Sequence, residues 1–153
     1  MIDVPLIKKI LFNHCKTHLE KKMKVLEQLK KNLRKDLTYE TKSSAGDKYE
    51  TARAMIQLEN EKLSNQIHEI ELNYQKLNTI KDFQTSKSIS LGSIIFTDKA
   101  NYFVAIAADF FEVNSKVFYC ISSQSPIGKL LIGKKINESI MFNDVQSTIL
   151  EII

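Results

Sequence analysis

The sequence predicts an α+β protein in which an N-terminal helical hairpin is followed by a small β-rich module. Apolar residues recur every three or four positions through most of the first half, which is typical of amphipathic helices. From about Ser90 this period gives way to short runs of β-forming residues separated by turn residues, which is typical of strands. We therefore divide the 153 residues into a coiled-coil hairpin at residues 1–86 and a second module at residues 87–153.

The first helix is predicted from Leu6 to about Leu37. Pro5 stands where a first-turn proline is favoured, because a backbone N–H in the first turn would have no hydrogen-bond partner within the helix. The apolar stripe of this helix is narrow, as expected for a helix that buries one seam against a partner. Its members are Ile7, Leu11, Cys15, Leu19, Met23, Leu26, Leu29, Leu33 and Leu37.

A second stripe of similar length follows a polar stretch of small residues at 38–47. Gly46 in this stretch can adopt a positive φ, which suits a turn. Two stripes joined by a short turn indicate an antiparallel helical hairpin. The second stripe comprises Ala52, Ile56, Leu63, Ile67, Ile70, Tyr74 and Leu77, and ends before Lys87.

The second module is predicted to contain five strands, at 93–97, 102–107, 117–122, 138–142 and 147–152. Turn residues separate them at 98–101, 113–115 and 143–144. A short helix is predicted at 125–131, with Ser125 as its N-cap and Pro126 as its first residue. We expect the aromatic residues to form core; the alternative is a peptide groove like that of a prolyl isomerase. These aromatics are Tyr102, Phe103, Phe110, Phe111, Phe118 and Tyr119.

Charge and composition indicate a folded protein with no membrane segment. The net charge is +4, and lysines concentrate in the first third; we interpret them as a solvated helix face, the alternative being contact with RNA or DNA phosphates. No run approaches the roughly 20 apolar residues of a membrane span, so we expect a cytoplasmic protein. Cys15 and Cys120 fall in different predicted modules and are interpreted as reduced thiols. His14 and His18 could share a metal, but a helix-surface or seam role is favoured.

Asp47 and Glu50 are the candidate functional carboxylates. Three residues apart at the start of a helix, they project from one face, and the helix dipole favours their ionised form. Mg²⁺ prefers hard oxygen ligands and is commonly held by one or two carboxylates together with phosphate. The alternative is purely structural, with Asp47 as an N-cap and Glu50 completing a capping-box-like pair.

Two motifs resemble those of one known family. Gly46-Asp47-Lys48-Tyr49-Glu50-Thr51-Ala52 resembles the G-D-x-x-E-N-A signature of the Gre-family transcript cleavage factors. The segment 125–134, Ser-Pro-Ile-Gly-Lys-Leu-Leu-Ile-Gly-Lys, resembles the S-P-[IL]-x-x-x-L-[IL]-G-K segment of that family's C-terminal FKBP-like domain. The motifs come in the family's order, at about its spacing, and the resemblance covers nearly the whole chain.

The resemblance implies a mechanism on bacterial RNA polymerase. The FKBP-like domain would dock beside the secondary channel, and the coiled coil would enter it. Asp47 and Glu50 would then help to hold Mg²⁺ and a water in the polymerase active site, so that a backtracked transcript is cleaved. Ser125 and Pro126 match family positions implicated in gripping the polymerase; the alternative is that they only start a helix.

The same resemblance implies an accessory factor, not an enzyme. It would bind no cofactor of its own, would meet nascent RNA and DNA only within the elongation complex, and is expected to be a monomer.

The sequence departs from the family's pattern beside the two carboxylates. Thr51 replaces the family's Asn, Arg53 stands where an acid is common, and Ala54 replaces a Tyr. Polymerase binding is therefore better supported than stimulated cleavage. The alternative functions are a Gre-like channel regulator that inhibits without cleavage, and an FKBP-like peptide-binding or adaptor protein.

Overall fold

The computed structural model describes the backbone of residues 4–41, 46–80 and 86–153, and the side chains of 5–38, 50–80 and 86–153. The elements within these ranges are α1 (Val4–Thr41), α2 (Gly46–Asn78), β1 (Ile94–Thr97), β2 (Asn101–Ala105), β3 (Phe111–Val113), β4 (Lys116–Ser122), α3 (Pro126–Leu131), β5 (Ser139–Phe142) and β6 (Val145–Ile152). The predicted α+β class, with a helical hairpin before a β-rich module, is confirmed. In the described part of the chain, no helix has the length and apolar character that a membrane span requires.

The chain forms two compact units. One consists of Met1–His18 together with Tyr74–Ile153, and the other is Leu19–Asn73. The first turns of α1 and the last turn of α2 therefore belong to the same unit as the sheet. The domain boundary at residue 86 stays a prediction.

The unit Leu19–Asn73 contains two antiparallel helical segments. The Lys30 ammonium donates a hydrogen bond to the Ser64 hydroxyl at 3.0 Å, and Leu37 shares a groove with Ile56 nearer the helix junction. Leu63 is buried at this seam. Other apolar side chains of the unit are exposed because two helices alone bury only one face of each. They are Val25, Leu29, Met55, Leu58 and Leu72.

The second unit is built on a six-stranded mixed sheet with the order β3-β4-β2-β1-β6-β5. β2 and β4 are parallel, and the other neighbouring pairs are antiparallel. Two hairpins turn through pairs of residues with positive φ: Asn114 and Ser115 at 49° and 63°, and Asn143 and Asp144 at 49° and 63°. Positive φ at both central residues is the type I′ geometry that matches strand twist. Both turns were predicted from sequence.

Each face of the sheet carries buried side chains. On one face the core comprises Ile89, Ile95, Val104, Ile127, Leu131, Ile140 and Ile149, so α3 covers this side. Residues that alternate with these along the strands lie on the other face and are also buried: Ile94, Phe103, Phe118 and Cys120. The first turns of α1 lie on this second face, because His14 stacks on Phe111 and Cys15 contacts Cys120.

Several elements differ from the sequence prediction, and the differences at β3, α1 and β6 have physical reasons. β3 was not predicted as a strand, because its three residues are too few to show an alternation. α1 continues to Thr41, past the last apolar residue at Leu37, since backbone hydrogen bonds propagate a helix beyond its buried stripe. β6 begins at Val145, two residues before the predicted start, because it pairs with β5 directly from the two-residue turn.

Candidate functional sites

The predicted acidic site lies where α2 begins. The helix starts at Gly46, so Asp47 is its second residue and Glu50 its fifth. Three residues apart within one helix, both positions fall on the same side of α2. This placement differs from the N-cap alternative, in which Asp47 would precede the helix.

Only one of the two carboxylates belongs to the described side chains. Glu50 is exposed, whereas the side chain of Asp47 lies outside the described residues. The direction and contacts of Asp47 therefore stay a prediction. Thr51, Arg53 and Ala54, the three departures from the family signature, are all exposed beside Glu50.

Ser125 caps α3 as predicted, and its hydroxyl makes two hydrogen bonds. It donates to the Ser122 carbonyl at 2.6 Å and accepts from the Gly128 N–H at 3.1 Å. The residue has φ −67° and ψ 159°, the extended backbone of an N-cap. Both of these partners belong to the fold, so the structural role of Ser125 is satisfied without any ligand.

Pro126 occupies the first position of α3, and its ring is exposed. One turn later on the same side, Leu130 is also exposed, at 37%. Ile127 and Leu131 face inward and are buried, as expected from their helical spacing. The exposed part of this motif is therefore apolar, and Pro126 and Leu130 can contact a partner without disturbing the core.

Gly128 has a packing role that the sequence analysis missed. A Cβ at this position would lie 2.1 Å from the carbonyl oxygen of Ser122. The helix thus lies so close to the end of β4 that only glycine fits. The i, i+3 spacing from Ser125 was visible in the sequence, but the approach of Ser122 depends on the tertiary fold.

The aromatic residues of the β module divide into core and surface. Phe103 and Phe118 are fully buried, which agrees with the core interpretation. Phe110 and Tyr119, by contrast, are 63% and 46% exposed. Together with Tyr102 they form a row of rings with centroids 6.3 Å and 6.1 Å apart. Burial and the neighbouring Tyr119 raise the pKa of Tyr102 above its usual value.

His14 has a structural role on α1. Its ring stacks on Phe111 with centroids 4.5 Å apart, and its Nε2–H donates to the Asp109 carbonyl at 2.8 Å. His18 lies one turn further along, with Nδ1 3.9 Å from the Asp109 carboxylate. Among the residues that the structure describes, no group of three or more His, Cys, Asp or Glu side chains could hold a metal ion. His14 therefore packs on the unit that contains the sheet, a contact that the predicted helix-surface or seam role did not specify.

Cys15 and Cys120 are side by side, although the sequence analysis placed them in different modules. Both thiols are buried and free of a disulfide, and both belong to the unit that contains the sheet. Sequence separation gave no signal for this contact, because it depends on the packing of α1 against β4.

Comparison with known proteins finds likeness among solved structures. No protein-family model matches the chain, and no curated protein matches it. A solved structure described as "Structure of the transcription factor Gfh1" is similar to this chain at 18% sequence identity, with a TM-score of 0.35. The likeness covers 88% of this chain and 90% of that one. At this identity and TM-score it adds no argument about what the chain does.

Proposed function

We propose that this chain binds bacterial RNA polymerase at the secondary channel and stimulates cleavage of backtracked transcripts, as a Gre-type elongation factor. The observation that carries the proposal is the G-D-x-x-E sequence at the start of α2, in a hairpin, with Glu50 exposed. Mg²⁺ prefers hard oxygen ligands, which an exposed carboxylate can supply to a metal site of a partner.

The chemistry would belong to the polymerase, and the chain would supply oxygen ligands. Mg²⁺ keeps several waters and needs one or two protein carboxylates beside the substrate phosphates. In a two-metal site, one ion generates the attacking hydroxide and the other stabilises the leaving oxygen. Asp47 and Glu50 would complete such a site by holding the second ion and its water.

Docking would involve the exposed side of α3. Pro126 and Leu130 offer an apolar contact one turn apart, while Ser125 holds the start of the helix through its hydrogen bonds to Ser122 and Gly128. Ser125 would then act by positioning Pro126. A small, preformed apolar contact of this kind loses less conformational entropy on binding than a flexible segment would.

The decisive experiment uses stalled, backtracked elongation complexes with purified chain. Wild type should shorten the transcript, and Asp47→Ala and Glu50→Ala should each lower the cleavage rate by tenfold or more while still co-eluting with core polymerase. Glu61→Ala, which removes an exposed acid three turns along α2, is the matched control and should cleave like wild type. If Asp47→Ala and Glu50→Ala cleave the transcript as fast as wild type, the catalytic role is refuted. Failure of wild type to co-elute would refute polymerase binding.

The inhibitory channel regulator is a second candidate, favoured by Arg53. This exposed cation lies one turn after Glu50, where the family commonly has an acid. A positive charge there weakens the local attraction for Mg²⁺. This candidate predicts co-elution with polymerase and slower elongation, with no shortened transcript. Arg53→Glu should then restore cleavage.

The peptide-binding alternative is favoured by the exposed rings of Phe110 and Tyr119. Aromatic rows can dock proline-containing segments. If this is the function, the chain should bind or isomerise X-Pro peptides, Phe110→Ala should abolish that activity, and polymerase should not co-elute.

A further inference from the structure

Cys15 and Cys120 are two buried thiols that lie far apart in the sequence and close together in the fold. Cys15 lies on α1 between Leu11 and Leu19, one turn away on either side, and all three side chains are at most 2% exposed. Cys120 lies on β4, is 5% exposed, and is paired with Phe103 of β2. Its carbonyl accepts a hydrogen bond from the Ala108 N–H at 3.3 Å.

The position of Cys15 is supported by the contacts of its neighbour on α1, His14. His14, next to Cys15, is held by Asp109 and Phe111 on the chain segment that borders β4. The α1 backbone is therefore fixed over β4 at the level of Cys120. The interaction between the two neighbouring thiols, followed by burial, raises the pKa of Cys15, and the same interaction lowers the pKa of Cys120.

We propose that Cys15 and Cys120 form a redox couple that closes to a disulfide, attaching the first turns of α1 covalently to β4. A disulfide requires sulfur atoms about 2.05 Å apart. Both thiols are buried and free, and they are neighbours where α1 packs on β4, so the disulfide needs only a further approach of the two side chains. This site is separate from the acidic residues of α2, and the proposal does not depend on the polymerase function.

The reaction balances with a low-molecular-weight disulfide as the oxidant. The Cys120 thiol loses its proton to solvent, and the thiolate attacks one sulfur of the oxidant, whose S–S bond breaks to release one thiol. Cys15 then loses its proton and attacks the Cys120 sulfur in this mixed disulfide, releasing the second thiol. Two protein thiols are oxidised, and one small disulfide is reduced to two thiols.

Because both thiols are buried, the disulfide should form slowly unless α1 opens locally. A thiol that solvent cannot reach reacts only through transient opening of its surroundings. The contacts that oppose opening at this point include the His14 stack on Phe111 and its hydrogen bond to Asp109. His14→Ala should therefore speed oxidation by roughly tenfold, because α1 opens more often once the ring stack and the hydrogen bond are lost.

The test treats the full reduced chain with oxidised glutathione under native conditions. We expect an intact mass lower by two hydrogen atoms, and a proteolytic peptide that joins Cys15 to Cys120 and disappears on reduction. Oxidised chain should also unfold at a higher temperature, on the order of 5–10 °C, because the bond closes a loop of roughly 100 residues. These wild-type measurements do not depend on the folding of any variant.

Matched variants separate the proposed pair from incidental oxidation. Cys15→Ala and Cys120→Ala should each lose the intramolecular link and show no rise in melting temperature on oxidation. Lys16→Ala, an exposed neighbour on α1, should oxidise at the wild-type rate. The proposal is overturned if native wild type still has two free thiols at the highest concentration of oxidised glutathione. It is also overturned if the two cysteines form a disulfide only between molecules or only in denaturant. If His14→Ala forms the disulfide at the wild-type rate, the contacts of His14 do not limit the opening of α1.

Discussion

His14 stacks on Phe111 with ring centroids 4.5 Å apart and an angle of 28° between the planes. The contact holds the first third of α1 on β3, the edge strand of the sheet. It therefore connects an element at the start of the chain with one about a hundred residues later.

Removing the His14 ring should destabilise the unit that contains the sheet. His14→Ala loses the stack on Phe111 and the hydrogen bond to the Asp109 carbonyl. Together these contribute about 1–2 kcal/mol to the free energy of unfolding. Denaturant unfolding followed by circular dichroism measures the change. Lys16→Ala should stay within about 0.5 kcal/mol of wild type, and an equal loss in both variants would contradict the assignment.

Gly128→Ala should be among the most damaging single-methyl changes in the chain. The new Cβ would meet the Ser122 carbonyl oxygen at 2.1 Å, so α3 or the end of β4 must shift, at a cost of about 2–4 kcal/mol. Gly133→Ala is the control, because its Cβ would meet nothing within 4 Å and the cost comes only from its φ of +84°, about 1 kcal/mol. The two melting temperatures compare the effects directly. If both variants lose the same melting temperature, the close approach of α3 to Ser122 can be relieved at little cost.

The hairpin seam should depend on Leu63 far more than on Leu58. Leu63 is 4% exposed and Leu58 is 66% exposed, although both are leucines on α2. Leu63→Ala removes buried surface and leaves a cavity, which costs about 2–4 kcal/mol. Leu58→Ala should cost less than about 0.5 kcal/mol. Helicity during thermal unfolding measures both, and a large loss for Leu58 would point to a partner on that side of α2.

The residues that the sequence predicted well have local physical signals. Ser125 and Pro126 are the types favoured at an N-cap and at a first helical position. Asn114 and Asn143 tolerate the positive φ of type I′ turns, so both turns were recognisable, although strand β3 was not. The helical period predicted both long helices, but its stripe on α1 also included Leu29, which is exposed, and Cys15, which does not lie in the hairpin seam.

The features that the sequence missed depend on distant contacts. Nothing in the periodicity of α1 indicated that Cys15 would lie against Cys120 and not in the hairpin seam. The exposure of Phe110 and Tyr119 was missed because an aromatic residue in a small module is more often buried. The acidic site was predictable only in part. The positions of Asp47 and Glu50 on one helix follow from their spacing, whereas their proposed role depends on a partner.

Tyr102 should ionise at higher pH than an ordinary tyrosine. Burial, followed by the nearby Tyr119, raises its pKa above the usual value of about 10. Because the folded pKa is the higher one, this contribution to stability is fully present below the unfolded pKa and is lost as pH rises through the folded pKa. An ultraviolet titration should show one tyrosine ionising late, and Tyr102→Phe should remove that phase. Five equivalent tyrosines would contradict the prediction.

Ser125 and Pro126 should separate folding from partner binding. Ser125→Ala loses the cap on Gly128 and leaves the Ser122 carbonyl without its hydroxyl donor, so stability should fall by about 1 kcal/mol. Pro126→Ala changes an exposed ring and should leave stability within about 0.5 kcal/mol. If α3 contacts polymerase, Pro126→Ala should nevertheless weaken co-elution with the core enzyme severalfold. Lys129→Ala, exposed on the same short helix, controls for any change on its surface. Unaltered co-elution of Pro126→Ala would remove this residue from the proposed docking contact and leave it only its part in starting the helix.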